Sequence, residues 1–198
     1  MNLISEHLLS FILFVPVLTA LMLLFVPSGR LSLLRWGTLI ASLIPFGLAV
    51  ALWVRFDPQQ GGFQFEEYLR WYPPLNSAYH LGVDGISLTL VLLTTFLMPL
   101  AILASFSITD RVKAYMVLFL LLETGMLGVF LALDLLLFFV FWEVGLVPMY
   151  FLINQWGSTN RNYASLKFIL YTMGGSLGLL LASQLIGVVA GTYDIPEL

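Results

Sequence analysis

The amino-acid sequence predicts an all-α membrane protein with six transmembrane helices. Of its 198 residues, 60% are apolar and only 10% are charged, whereas a soluble globular domain carries about 25% charged residues. Six apolar segments are each long enough to cross a hydrocarbon core, which takes about 20 residues. The predicted spans are residues 4–26, 32–54, 84–106, 114–133, 135–153 and 164–190.

The first span is predicted to be a permanent anchor. The segment before it, MNLISEH, contains no lysine or arginine, and the apolar run from Leu8 to Val26 is longer than a signal-peptide core of about 7–15 residues. With the second span, it forms the first of three predicted regions, residues 1–56.

The second region, residues 57–81, is a polar loop between spans two and three. It is rich in polar and aromatic residues and is interrupted by a Pro-Pro pair. Residues 63–72 and 78–82 also fit two short strands around this break, although their alternation is imperfect. The third region, residues 82–198, holds spans three to six. Asp84 and Asp134 directly precede two of these spans and are predicted helix N-caps.

Basic residues predict the orientation of the spans. Six of the eight lysines and arginines fall at alternate connections, and only Arg55 and Arg70 fall on the opposite side. Because cytoplasmic connections are enriched in basic residues, this places the N-terminus outside. The six inner residues are Arg30, Arg35, Arg111, Lys113, Arg161 and Lys167.

The composition argues against several classes of site. The net charge of −3, with basic residues dispersed, gives no support to nucleic-acid binding. The absence of cysteine excludes disulfides, iron–sulfur ligation and thiolate metal sites. The only two histidines, His7 and His80, lie far apart in the chain, so no metal site or cofactor is expected in it.

Two acidic residues lie inside predicted spans, Glu123 and Glu143. Each is nine residues from the nearer end of its span, Ala114 or Asp134, which corresponds to roughly 14 Å along a helix. Because these spans run antiparallel, both carboxyl groups are expected near the bilayer midplane. A carboxyl group at this depth, whose charge depends on its neighbours, is what a proton relay requires.

The sequence around Glu143 favours a polar, hydrated environment. Pro148 has no N–H group, so the carbonyl of Val144 loses its helical hydrogen-bond partner. Gly145 leaves that side of the helix open. Because a freed carbonyl needs another donor, we expect a hydrated pocket there.

Simpler interpretations stay open for each candidate residue. Glu123 and Glu143 are also consistent with neutral, hydrogen-bonded packing residues. Lys167 lies about four residues, or roughly 6 Å, inside the sixth span, so its ammonium group can also extend to the interface. Small residues four apart, Gly128 with Ala132 and Gly174 with Gly178, mark expected helix contacts.

Three segments carry a resemblance to a known family. They are GVDGISLTLVLLTTFLMPLAILAS (82–105), LLLFFVFWEVGLVPMYFLINQWG (135–157) and LKFILYTMGGSLGLLL (166–181). They resemble the antiporter-like subunit M, or chain 4, of proton-pumping NADH–quinone oxidoreductase, respiratory complex I. The similarity covers nearly the whole chain and is weakest over residues 1–80. Mrp-type sodium/proton antiporters and the membrane arms of related hydrogenases contain members of the same family.

The resemblance implies a fold of about fourteen helices with two inverted repeats, each containing a broken helix. It also implies roles for three residues. Glu143 matches a glutamate that pairs with a lysine of the broken seventh helix, and Glu123 matches an acid of the fourth helix. Lys167 matches a lysine that opens the KF-x-LYT helix, and we expect it to be an input-side or relay cation. The seventh helix lies beyond GTYDIPEL. We therefore expect either a part of a longer chain or a second polypeptide that supplies the rest.

The resemblance further implies a proton-translocating subunit of a bacterial inner-membrane enzyme complex. Its partners would be other membrane-arm subunits, the lipid bilayer and protons, while NADH and quinone would bind to other subunits. No redox centre is expected in this chain, since it lacks cysteines and a dinucleotide-binding glycine motif. The alternatives are a secondary sodium/proton antiporter or hydrogenase membrane-arm subunit, and a non-conducting scaffold.

Overall fold

The computed structural model describes residues 7–72 and 75–198, and within them six helices are long and apolar enough to cross a membrane. The six predicted spans are thereby confirmed in number and order, and residues 4–6 of the first lie outside the described residues. The helices are α1 Leu8–Phe25, α2 Leu31–Arg55, α3 Gly85–Ala104, α4 Val112–Leu131, α5 Leu135–Trp156 and α6 Arg161–Ala190.

The helix starts follow from local capping chemistry. The Asp84 carboxylate accepts hydrogen bonds from the Ile86 and Ser87 amides, and the Asp84 amide donates to the Ser87 hydroxyl. Asp134 accepts from the amides of Leu136 and Leu137 at the start of α5. Both predicted N-caps are therefore confirmed. Each satisfies amide groups that the first turn of a helix leaves without partners.

The helices form one bundle with α4 at its centre. Helix α4 packs against α1, α2, α3 and α5, whereas α6 packs mainly against α5. Apolar side chains fill two clusters at different levels. Leu9, Leu81 and Leu131 belong to the one nearer the polar loop, and Met116 and Leu120 belong to the other.

The two ends of the bundle are formed by different connecting segments. One end, here called the hairpin end, contains residues 56–72, 75–84, 132–134 and 191–198. The other, here called the basic end, contains the connections 26–30, 105–111 and 157–160. The predicted orientation places the hairpin end outside the membrane.

The polar loop between α2 and α3 contains an antiparallel hairpin. Strand β1 spans Gln64–Tyr72 and strand β2 spans Ser77–Val83, with register shifts near both ends of the pairing. The hairpin is held to the α4–α5 connection because the Leu133 amide donates to the His80 carbonyl at 2.9 Å. A polar loop thus becomes a fixed cover on one end of the bundle.

Close helix contact occurs at glycines, but only at some of the predicted ones. A Cβ atom built on Gly128 would overlap the Phe141 ring, so this position needs glycine. The expectation for Gly174 and Gly178 is wrong within the described part of the chain, since nothing lies within 4 Å of a Cβ at either residue. Both lie on α6, which has few neighbours here.

Candidate functional site

Glu123 lies on the buried stripe of the central helix. The stripe runs through Met116, Leu120, Glu123 and Leu127, spaced four, three and four residues apart. The side chain is fully buried, and neither carboxyl oxygen has a hydrogen-bond partner among the described residues. Because an unpaired buried charge is costly, Glu123 can hold a negative charge only when a cation or water reaches it.

Glu143 lies on α5 at the edge of the bundle and is half-buried. It shares a helix face with Val140, Val144 and Val147, which are one to four residues away and exposed. The ion pairs among the described residues all involve His7 or His80, so Glu143 forms none there. Its carboxylate is therefore open to a partner from outside these six helices.

A glycine crossing fixes the relative depth of the two acids. A Cβ on Gly125 of α4 would lie 2.7 Å from the Cα of Gly145 on α5, so the two backbones are in contact there. Glu123 and Glu143 each precede their glycine by two residues, or about 3 Å of helix rise. Since the helices are antiparallel, the two acids lie about 3 Å to either side of one level.

The two acids nevertheless point to different places. Two residues correspond to about 200° of helix rotation, so each carboxyl group points away from the Gly125–Gly145 contact. Glu123 turns into the apolar core, and Glu143 turns toward the exposed valines of α5. The structure thus places the carboxyl groups of Glu123 and Glu143 at a similar depth but not in direct contact.

Lys167 lies apart from both acids. Helix α6 begins at Arg161, so Lys167 is six residues from its start, or about 9 Å along the helix. The predicted figure of roughly 6 Å was short because the helix begins three residues earlier than expected. The exposed ammonium group lies 5.5 and 5.7 Å from the ring centres of Tyr163 and Tyr171. Two cation–π contacts therefore hold it between these two rings, which lie about one turn to either side of Lys167 along α6.

A cleft on the opposite side of α5 is distinct from the hydrated pocket expected beside Glu143. A cleft of about 310 Å³ adjoins Gly145, and its walls are apolar side chains such as Phe141, Met149 and Phe168. Glu143 is not among its lining residues, because Gly145 and Glu143 lie on opposite sides of α5. A hydrated environment for Glu143 stays a prediction.

Sequence reasoning missed a polar network at the hairpin end. His80 is buried, with Nδ1 lying 3.0 Å from Asp194 Oδ1 and Nε2 lying 3.0 Å from Glu66 Oε2. Burial raises the pKa of Asp194, and the hydrogen bond with His80 opposes this effect. These residues are up to 114 positions apart in the chain, so no local pattern marks them.

A second polar cluster at the hairpin end holds the start of α1. The buried Glu67 carboxylate accepts hydrogen bonds from the Leu9 amide at 2.7 Å and from the Ser10 amide at 3.2 Å. The Ser10 hydroxyl bonds to both Glu67 and Tyr79. Burial raises the pKa of Tyr79 to about 12. The hairpin therefore supplies the carboxylate cap that α1 lacks in its own sequence.

Two protein families match adjacent parts of the chain. The family described as NADH-ubiquinone oxidoreductase chain 4, amino terminus, matches residues 63–134. The family described as NADH:quinone oxidoreductase/Mrp antiporter, transmembrane, matches residues 132–198. Together, the two matches include Glu123, Glu143 and Lys167.

Curated relatives are similar over nearly the whole chain. NADH-ubiquinone oxidoreductase chain 4 of Arabidopsis thaliana is 47% identical over 94% of this chain and 38% of the relative. NADH-quinone oxidoreductase subunit M of Rhodobacter capsulatus is 45% identical over 98% of this chain and 38% of the relative. The chain thus spans less than half the length of these relatives.

Solved structures share the fold. A chain of respiratory complex I from Thermus thermophilus matches with a TM-score of 0.81 and 26% identity, over 96% of this chain and 38% of that one. The archaeal membrane-bound sulfane sulfur reductase matches at 0.80, over 96% of this chain and 29% of that one, and its 23% identity shows the fold alone. The Mrp complex of a Dietzia species matches at 0.69 and 21% identity, over 96% of this chain and 19% of that one.

Proposed function

Because this chain belongs to the NADH:quinone oxidoreductase/Mrp antiporter family of multi-pass membrane proteins, we propose that it takes part in proton translocation by a membrane-arm subunit of NADH–quinone oxidoreductase. Glu143 and Glu123 would change protonation state during turnover, and Lys167 would exchange protons near the basic end. The complex would lie in a bacterial inner membrane, with the hairpin end outside.

The observation that carries the proposal is the common depth of two acids in one apolar bundle. Glu123 and Glu143 lie within about 3 Å of the level of the Gly125–Gly145 contact. Intramembrane carboxyl groups are costly and are functional as a rule. Neither is used here to hold the fold by an ion pair within the described residues, which leaves both free to exchange protons.

The two acids would play different parts. Glu143 faces out of the bundle beside exposed valines, so a cation from a neighbouring helix can approach it and withdraw from it. Glu123 is fully buried and has no hydrogen-bond partner in the described part of the chain, so it would serve as an accessory acid when water enters. Glu143 is accordingly the switch carboxylate of the proposal.

Lys167 would serve the basic end. It lies about 9 Å along α6 from Arg161, while Glu143 lies 13 residues from the end of α5 at Trp156, or about 20 Å. The two levels therefore differ by about 10 Å, too far for a direct ion pair. Protons would pass between them through groups or water that lie between these levels.

The chemistry of electron transfer would be located elsewhere. This chain contains no cysteine, and we propose that other subunits bind NADH and quinone while this one carries no cofactor. Their redox reaction would supply the work of pumping, about 2.3 kcal/mol for each charge moved against 100 mV. The other membrane-arm subunits and the lipid would be its direct partners.

The three sequence regions would divide this work. Residues 1–56 would anchor the bundle, residues 57–81 would cover its outer face as a polar hairpin loop, and residues 82–198 would contain the first part of a proton path. The covering role is supported by the hydrogen bonds that tie β2 to the α4–α5 connection.

The substitution Glu143→Gln in the intact complex tests the proposal. Glutamine keeps the size and hydrogen bonding of glutamate but cannot ionise. NADH-driven quinone reduction and proton translocation are recorded together in sealed native membranes, with Glu197→Gln, a surface substitution at the hairpin end, as the control. We expect both rates of the assembled Glu143→Gln complex to fall to a small fraction of wild type.

Other outcomes separate the alternatives. If both rates stay near those of the control, Glu143 is a packing residue, and the scaffold alternative then predicts that Glu123→Gln is neutral as well. If proton movement falls while NADH-driven quinone reduction is absent even from wild-type membranes, a secondary antiporter replaces the proposed pump.

A further inference from the structure

A cleft opens at the basic end of the bundle, between the end of α1, the start of α4 and the end of α5. Its volume is about 710 Å³. The described residues that line it include Leu24, Arg111, Lys113, Leu118 and Phe151. None of the residues named above for proton translocation belongs to this lining.

The mouth of the cleft is cationic. Arg111 and Lys113 both line it, and no acidic side chain is among the described lining residues. The Arg111 guanidinium donates one hydrogen bond, from Nη1 to Gln155 Oε1 at 2.7 Å, and Lys113 Nζ donates to the Leu24 carbonyl. Since arginine has five N–H donors and lysine three, both side chains retain donors for an anion.

The start of α4 adds to this positive potential. Arg111 is the N-cap residue and makes no side-chain capping bond, and the first turn contains no acidic residue. The first amides of this helix, including that of Ala114 in the cleft lining, therefore lack a side-chain acceptor within residues 7–72 and 75–198. Amides at a helix start bind anions such as phosphate, and the helix dipole favours a negative charge there.

The walls below the mouth are apolar. Leu118 lies six residues beyond Val112, or about 9 Å into the span, and Phe151 lies five residues before Trp156, or about 8 Å. Leu24 and Phe151 are 52% and 43% exposed, so they offer apolar surface that no part of the described chain covers. A ligand for this cleft must therefore be anionic at one end and apolar over about 9 Å.

We propose that this cleft binds an anionic phospholipid of the inner leaflet. The phosphate would lie against Arg111, Lys113 and the start of α4. The part of an acyl chain next to the headgroup would lie along Leu118 and Phe151. A soluble phosphate would leave the apolar walls exposed, and a zwitterionic lipid would bring no net charge to the two cations. Basic clefts between helices on the cytoplasmic side of membrane proteins bind acidic headgroups by the same interactions.

Photo-crosslinking in the intact complex tests this site. The complex is reconstituted in phosphatidylcholine vesicles that contain phosphatidylglycerol with a photoactivatable acyl chain, and labelled peptides are mapped by mass spectrometry. We expect label on the α4 start or the α5 end. Phosphatidylcholine with the same photoactivatable chain should label these peptides less, and soluble glycerol phosphate should not displace the phosphatidylglycerol.

Removal of two positive charges at the cleft tests the role of the cations, and removal of two positive charges elsewhere is the matched control. Each cation near an acidic membrane surface strengthens binding about fivefold, so Arg111→Gln with Lys113→Gln should reduce labelling about 25-fold. Arg55→Gln with Arg70→Gln removes the same charge at the hairpin end and should leave labelling unchanged. Arg111 also forms a hydrogen bond with Gln155, so the double variant could fail to assemble. In that case Lys113→Gln alone is the test, with an expected fivefold loss of labelling.

Three results would overturn the proposal. Equal labelling by the two lipids would show an apolar groove without headgroup selectivity. Displacement by glycerol phosphate would show a simple anion site. Absence of label from the α4 start and the α5 end in the wild-type complex would show that another polypeptide covers the cleft.

Discussion

Substitution of Gly125 by alanine should force α4 and α5 apart. The added Cβ would lie 2.7 Å from the Gly145 Cα and 2.8 Å from the Gly145 nitrogen, whereas carbon atoms in good contact are about 3.5–4.0 Å apart. The obstacle is backbone, which cannot rotate away as a side chain could. The two helices must therefore separate locally by about 1 Å.

The energetic cost can be isolated with a second glycine. Overpacking of this kind costs about 1–3 kcal/mol, but alanine also favours a helix over glycine by about 1 kcal/mol. Gly174→Ala on α6 gains the same helical preference, and no atom of the described chain lies within 4 Å of its new Cβ. The difference between the two variants should therefore be about 1–3 kcal/mol, with Gly125→Ala the less stable.

Reversible unfolding of the purified chain in mixed micelles measures this difference. Far-ultraviolet circular dichroism follows loss of helix as a denaturing detergent is added, with wild type and both variants under the same conditions. Equal stability of the two variants would refute the close contact at Gly125, and with it the common depth inferred for Glu123 and Glu143.

Two further predictions concern charged groups at the hairpin end, and the pH dependence of the same unfolding measurement tests both. Hydrogen bonds from the amides of Ser87 and Ile86 lower the pKa of Asp84. The stability that Asp84 contributes is therefore present above its unfolded-state pKa and is lost as pH falls through its folded-state pKa. Asp84→Ala should cost about 1 kcal/mol at neutral pH, whereas Asp84→Asn should keep the cap but lose this pH dependence. Burial raises the pKa of Asp194 despite its hydrogen bond to His80. The stability that Asp194 contributes below its unfolded-state pKa should therefore be lost as pH rises through its raised folded-state pKa, and Asp194→Asn should abolish that loss. For either residue, a pH dependence of stability that the asparagine variant leaves unchanged would contradict the assigned pKa shift.

Features encoded within one segment could be predicted from the sequence. Six helices follow from six long apolar runs, because only a helix satisfies all of its backbone groups inside a membrane. Asp84 and Asp134 were identifiable as caps because each stands directly before an apolar run. The common depth of Glu123 and Glu143 followed from residue counts and helix rise.

Features that depend on distant residues could not be predicted in this way. Nothing in the sequence near His80 indicates that Asp194 lies 3.0 Å away. Likewise, helix rise gives the depth of Glu143 but not the direction in which its side chain points relative to the neighbouring helices. Gly125 on α4 contacts Gly145 on α5, and only the packed structure shows that this contact sets the distance between the two helices.

Infrared difference spectroscopy on the intact complex tests the central claim most directly. Spectra are recorded between the resting state and NADH-driven turnover, in the carbonyl region of protonated carboxyl groups, for wild type and Glu143→Gln. If Glu143 exchanges a proton during turnover, the wild-type spectrum contains a deuterium-sensitive carboxyl band that the variant lacks. If the two spectra superimpose in this region, Glu143 keeps one protonation state throughout and is not the switch carboxylate.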